Sequence, residues 1–228
     1  MNQNSEYGRK RSRPRTKLNK IDTIKRNKLV VSVVILLVFI IVIAGAYIVF
    51  FNNNESSNNI SNNPIAVIDT SMGTIKVELY KDKVPNTVNN FINLVNINFY
   101  EGLVFHRVAN LNTNSPASHI IQAGGFYSNG TNKESPFGPI NLEINQDARH
   151  VDGAIAMART NDPNSATSQF YICDGPQSFL DDNYAVFGIV TEGMDVVRAI
   201  ASVDTTTKFQ YYENWPVEDI IINSITID

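Results

Sequence analysis

The sequence predicts a mainly β protein, a closed antiparallel barrel capped by two helices and preceded by one N-terminal transmembrane helix. Three observations predict it. Between residues 65 and 228, short apolar and β-branched runs recur, separated by clusters of Gly, Pro, Asn, Asp and Ser. Only two stretches of that region repeat apolar residues at helical spacing. Ahead of it, Leu29 to Phe51 is an unbroken apolar run without a single charge.

The N-terminal elements follow from charge and hydropathy. Residues 1–28 hold ten Lys and Arg against two acids, whereas the rest of the chain holds nine basic and twenty acidic residues. No apolar periodicity runs through this basic head, which reads as disordered. Residues 29–51 are long enough to span a hydrocarbon core of about 30 Å as a helix. The charge ahead of that run is a topology signal rather than a nucleic-acid arm, and it predicts a cytoplasmic head and an exported body. Ala44-Gly45-Ala46 also fits a signal-peptidase site, so secretion after cleavage near Ala46 is the alternative. Residues 52–63 (NNNESSNNISNN) cannot build a core and read as a flexible linker, which leaves 64–228 as the folded domain.

Within that domain, Ile65 to Ile68 and the alternating Ile75, Val77 and Leu79 predict a hairpin around Gly73. Pro85 opens a helix to Asn96 whose stripe is Val88, Phe91, Ile92 and Val95. A strand follows over Val104 to Val108, then a polar loop over Asn110 to Ser118, then a strand from His119 ending at Gly124-Gly125. Residues 126–139 read as long loops. Small residues from Gly153 to Ala158 predict a strand that something approaches closely. Further strands are read at Ser168 to Ile172, Ala185 to Val190 and Ile220 to Ile227, with the second helix over Met194 to Ala201.

The single cysteine, Cys173, excludes an intramolecular disulfide and reads as a buried thiol. His106, His119 and His150 have no metal-ligand spacing, so no metal and no cofactor are expected. No nucleophile-elbow motif surrounds a serine, so hydrolysis through Ser168 or His106 has little support. The conspicuous residue is Arg107, a guanidinium on an apolar strand. It either meets a structural acid or is held ready for something arriving from outside.

The runs Pro85–Phe91, Phe99–Val108, Gln122-Ala123-Gly124, Asn129-Gly130-Thr131, Ala156-Met157-Ala158, Ser168–Ile172, Phe179-Leu180-Asp181 and Val186-Phe187-Gly188 stand in one order across the domain. In these runs the domain resembles the cyclophilin-type peptidyl-prolyl cis-trans isomerases. The resemblance implies an eight-stranded antiparallel barrel closed by two helices. It also implies that Arg107 and Gln122 are catalytic, and that Phe105, Ile120, Ala158, Arg159, Gln169, Tyr171, Phe179, Leu180 and Tyr184 contact substrate. Some positions depart from the family pattern. His119-Ile120 replaces a common Phe-Met pair, the loop before it is long, and Tyr171 stands for a common phenylalanine and adds a hydroxyl. Phe179 stands for a common tryptophan, which suggests weaker binding of cyclosporin, and Tyr184 for a common histidine.

The activity so implied is non-covalent isomerisation of X-Pro bonds, acting on proline-containing peptides and on exported proteins as they fold. The site is membrane-tethered and extracytoplasmic, and nucleic acid is not among the partners. The alternative is a non-catalytic proline-peptide-binding or chaperone module on the same fold.

Overall fold

The computed structural model describes residues 31, 32, 36, 39–45, 63–112 and 118–228. Residues 39–45 are helical and exposed. Among the described residues no helix is long and apolar enough to cross a membrane. The expected basic head, most of the expected membrane span, the Ala46 cleavage point and nearly all of the linker lie outside the described residues.

Alternation of side chains builds the first hairpin. β1 (Ile65–Thr70) pairs with β2 (Gly73–Leu79), and Ile75, Val77 and Leu79 all point inward and are fully buried. α1 (Pro85–Asn96) then crosses the interior. Proline at its first turn needs no hydrogen-bond partner there. The Glu143 carboxylate, distant in sequence, accepts from the Thr87 N–H at 2.7 Å and the Thr87 hydroxyl at 2.8 Å. It supplies both the missing acceptor and a negative charge at the positive end of the helix. The helix buries Val88, Phe91, Leu94 and Val95, with Ile92 packed at the margin.

The remaining strands are β3 (Arg107–Asn110), β4 (His119–Ala123), β5 (Ala154–Met157), β6 (Phe170–Asp174), β7 (Val186–Glu192) and β10 (Ile222–Ile227). A 3-10 turn, Ser178–Leu180, and helix α2 (Met194–Ala201) sit between them. β8 (Thr205–Lys208) and β9 (Tyr212–Pro216) form a separate two-stranded hairpin. Nothing in the sequence reading placed that hairpin.

The eight strands run in the order β10-β1-β2-β7-β5-β6-β4-β3. The sheet therefore has two edges, β10 and β3, and the expected closed barrel is corrected to an open half-barrel. The residues that would carry β3 back to meet β10 are spent elsewhere. Leu103 bridges Tyr127, the Val104 N–H donates to the Phe126 carbonyl, and Phe105 and His106 carry no strand geometry. A few contacts span the seam short of Arg107, a bridge between Val104 and Ile221 with the Phe105 N–H donating to the Ile220 carbonyl, the Ile222 N–H to the Leu103 carbonyl and the Gly102 N–H to the Ile222 carbonyl, so no ladder runs along β3 itself.

Two apolar clusters sit on opposite faces of the curved sheet. The interior one centres on Phe91, Tyr100, Phe105, Phe170 and Phe187, whose rings meet edge-on or tilted. Burial of one such ring contributes roughly 1.5–3 kcal/mol, so this face holds the fold. The outer cluster is smaller, with Ala109, Ile120, Ala156, Tyr171, Cys173 and Val186. It is covered by loops rather than by a helix.

Candidate active site

Register places the site on that outer face. Arg107 stands opposite Gln122, Gln122 opposite Tyr171, Tyr171 opposite Ala156, and Ala156 opposite Val186. Directly opposed residues share a face, so these side chains form one row across five strands. Above the row lies a cleft of about 420 Å³. Its polar side is Arg107 and Gln122; its apolar floor and wall are Ile120, Tyr171, Leu180 and Leu111. Ala158, Arg159, Phe179 and Tyr184 complete the rim. The volume suits one residue ring and its neighbours, not an extended ligand.

Two arginines face this cleft, and their hydrogen bonds separate their roles. Arg159 is spent. Its Nε and Nη2 donate to the Asn183 carbonyl at 2.9 and 2.8 Å, and its Nη1 to the Thr160 carbonyl at 2.8 Å. Its plane stacks over the Tyr184 ring at 4.5 Å, so it builds wall. Arg107 instead donates through Nη1 to Gln122 Oε1 at 3.2 Å. Gln122 in turn donates through Nε2 to Gln169 Oε1 at 2.9 Å. Among the described residues no carboxylate pairs with Arg107. Its charge is held in place by neutral amides, which orient it without cancelling it.

Of the residues expected to touch substrate, Ile120, Ala158, Arg159, Tyr171, Phe179, Leu180 and Tyr184 line the cleft. Gln169 lines a neighbouring hollow of about 210 Å³ that shares Gln122, Ala158 and Arg159 with it. Phe105 is a correction. It is fully buried in the interior cluster and is absent from the cleft lining. The strand expected from Val104 begins only at Arg107, and the irregular step at Phe105 and His106 turns these neighbours to opposite faces. The Tyr171 hydroxyl is not offered to the cleft either. It lies 2.9 Å from His150 Nε2, and His150 Nδ1 lies 2.8 Å from Asp181 Oδ1.

Two residues are not anticipated, Leu111 in the cleft lining and His150 buried behind it. Leu111 sits in what reads as a polar loop, and its only sequence signal is being the one large apolar side chain there. His150 has no motif around it. Burial disfavours the thiolate of Cys173 and the phenolate of Tyr171 as nucleophiles. Burial pushes the Cys173 thiol up to about 12 and raises the Tyr171 phenol well above its ordinary value. The Ser168 hydroxyl is buried and donates to the Gly124 carbonyl at 2.8 Å. Gly124 itself takes φ +90°, and a Cβ there would meet the Ser168 carbonyl oxygen at 2.6 Å. The arrangement offers a fixed cation beside an apolar slot, with no group poised for covalent chemistry.

Comparison with known proteins places the domain in a family. Residues 65–227 match the family model for the cyclophilin type peptidyl-prolyl cis-trans isomerases. A peptidyl-prolyl cis-trans isomerase of Acinetobacter baylyi is 40% identical over 170 residues, covering 72% of this chain and 86% of that protein. Peptidyl-prolyl cis-trans isomerase B of Escherichia coli is 37% identical, over 69% of this chain and 96% of its own. The crystal structure of a Cryptosporidium parvum cyclophilin type isomerase aligns with a TM-score of 0.63 at 25% identity, covering 73% of this chain and 97% of that one.

Proposed function

Because the chain belongs to the cyclophilin-type peptidyl-prolyl cis-trans isomerase family, we propose that Arg107 is its catalytic group and the Ile120–Tyr171–Leu180 slot its proline seat. An X-Pro bond turns over a barrier of about 18–20 kcal/mol because rotation breaks amide resonance. Unaided, that takes tens to hundreds of seconds. No bond is made or cleaved, so the site has to fit the twisted amide better than the planar one. As the amide twists, the prolyl nitrogen becomes pyramidal and gains a lone pair. A guanidinium donor aimed at that lone pair stabilises the twisted form and not the planar one. Gln122 holds the guanidinium in place, and Gln169 holds Gln122.

The observation that carries this reading is the hydrogen bonding of Arg107: it is oriented by an amide, faces an apolar slot, and is not neutralised by an acid. The hollow lined by Gln169, Thr160 and Ser165 continues the groove along the peptide. The test is a protease-coupled assay of an Ala-Pro-Phe-type peptide with the full chain in mild detergent. Turnover is expected, and Arg107→Ala lowers kcat/KM by about 10²-fold, as for loss of one preorganised donor. Peptide binding without turnover in the well-folded chain would reassign the domain to a proline-peptide-holding module.

The isomerase acts beyond the membrane in this reading. The uncharged apolar run of residues 29–51 and the ten basic residues ahead of it support a retained anchor with the domain on the far side. Its clients are then exported chains that pass close to the membrane before they finish folding.

A further inference from the structure

The cleft floor and the cleft wall come from different parts of the chain, and one buried residue touches both. Tyr171, on β6, is the floor. Phe179 and Leu180, on the 3-10 turn, are wall and rim. His150, in the segment before β5, lies between them with its side chain fully buried. Its backbone N–H donates to Asp181 Oδ1 at 2.9 Å, and its carbonyl accepts from the Gln177 N–H at 2.8 Å, so it brackets the turn on both sides. Its ring reaches the same Asp181 oxygen at 2.8 Å and the Tyr171 hydroxyl at 2.9 Å.

The order Asp–His–Tyr invites a relay reading, but the environment opposes it. Burial holds the phenol protonated by raising its pKa. Burial also lowers the His150 pKa, more than Asp181 raises it. Desolvation tends to raise Asp181, but the His150 bonds and Arg149 outweigh it and hold Asp181 ionised. A neutral ring beside a carboxylate puts its proton on Nδ1, leaving Nε2 as an acceptor. The Tyr171 O–H then donates to Nε2, which turns its only donor away from the slot and fixes the ring flat beneath it.

We propose that His150 is a positioning residue of the proline slot, holding the wall through Asp181 and the floor through the Tyr171 hydroxyl. This rests on the isomerase reading of the cleft. The staple depends on the hydroxyl that Tyr171 carries, which a phenylalanine there would lack. Without His150 the hydroxyl is a buried donor with no partner. It then swings toward the slot or takes in water, and either change spoils the apolar seat.

The test uses the full chain, the same Ala-Pro-Phe-type peptide and a double-mutant cycle. His150→Leu is expected to lower kcat/KM about tenfold, chiefly through KM, and Tyr171→Phe, which alters the seat itself, serves as the background against which the loss is read. The double variant His150→Leu/Tyr171→Phe is expected to recover to within about threefold of Tyr171→Phe, because no hydroxyl is left to misplace. His150→Gln, which keeps an acceptor, retains most of the rate. A double variant as poor as His150→Leu alone, or a His150→Leu with unchanged KM, overturns the proposal. A readout independent of turnover is NMR of the unmodified chain: an Nδ1–H tautomer of His150 and a slowly exchanging Tyr171 hydroxyl proton are expected, and an Nε2–H tautomer overturns the staple. Absence of turnover in the unmodified chain would instead sink the isomerase reading and leave the tautomer to decide the staple.

Discussion

At the scale of single residues, the site is sorted by what each polar group already holds. Arg159 and Arg107 carry the same charge into the same cleft, yet four of the five Arg159 N–H groups are held by backbone carbonyls, whereas Arg107 gives one to Gln122. His106, next in sequence before Arg107, makes the converse case. It is buried against the rings of Phe126 and Trp215, and its Nδ1 has no hydrogen-bond partner among the described residues. Burial pushes its pKa down to about 4, with the Arg107 charge acting in the same sense and the Val104 carbonyl and Gln169 opposing. The folded chain therefore keeps His106 neutral while the unfolded chain, with an ordinary value near 6.5, takes up a proton. Stability is full above about pH 6.5 and is lost as pH falls through 4, by roughly 3 kcal/mol for this one group. Urea unfolding of the unmodified chain at pH 7 and pH 4.5 is expected to show that loss. His106→Phe, which suits the aromatic surroundings, is expected to show a smaller one. The His150 shift has the same sign in both proteins, so the difference between them isolates His106. Equal acid sensitivity of the two would refute the assignment.

At the scale of elements, those with alternation, helical spacing or a short apolar run between turn residues are legible, and the hairpin that has none of these is not. β2 announces itself through Ile75, Val77 and Leu79, and α1 through Pro85 and its stripe. β8 reads Thr-Thr-Thr-Lys with nearly every position exposed, and β9 contains a proline, so neither gives a period. The hairpin is held from behind instead. Trp215 is fully buried, packs against Phe126 and Tyr212, and donates through Nε1 to Asp219 at 3.0 Å, where Lys208 Nζ also arrives at 2.9 Å. These are tertiary contacts, invisible to a local pattern. The same holds in the site: Arg107, Gln122 and Tyr171 stand in recognisable runs, whereas Leu111 and His150 enter only through the path of the chain around them. The junction of β7 and α2 shows how narrow such a path can be. Gly193 caps α2 at φ 87°, and a Cβ there would run into the Thr74 carbonyl. Gly193→Ala combines a left-handed backbone with a backbone clash and is expected to cost about 2–4 kcal/mol. Thermal unfolding followed by circular dichroism checks it; an unchanged midpoint would mean that the junction relaxes freely.

At the scale of the whole molecule, the open seam and the charge distribution bear on where the enzyme works. An unpaired sheet edge is a template for wrong pairing, most of all near unfolded clients. Here the chain just before β3 meets the chain just before β10 through Val104 and Phe105, and the β8–β9 hairpin lies beside β3. The acids, meanwhile, gather in the body and the bases in the first 28 residues, an arrangement with little use in a freely diffusing isomerase. It has a clear use if the two parts face different sides of a bilayer. In cells carrying the full chain, the isomerase is therefore expected in the membrane fraction and to resist extraction by carbonate. In intact, wall-stripped cells the domain is expected to be open to added protease while an epitope placed ahead of Arg9 is protected. Removal of residues 1–51 is expected to move all of the protein out of the membrane fraction. If the mature chain instead begins at Tyr47 and is recovered outside the cell, Ala46 is a cleavage point and the apolar run is a signal sequence. If the domain resists protease until the cells are lysed, the orientation is reversed and the exported-client reading falls with it.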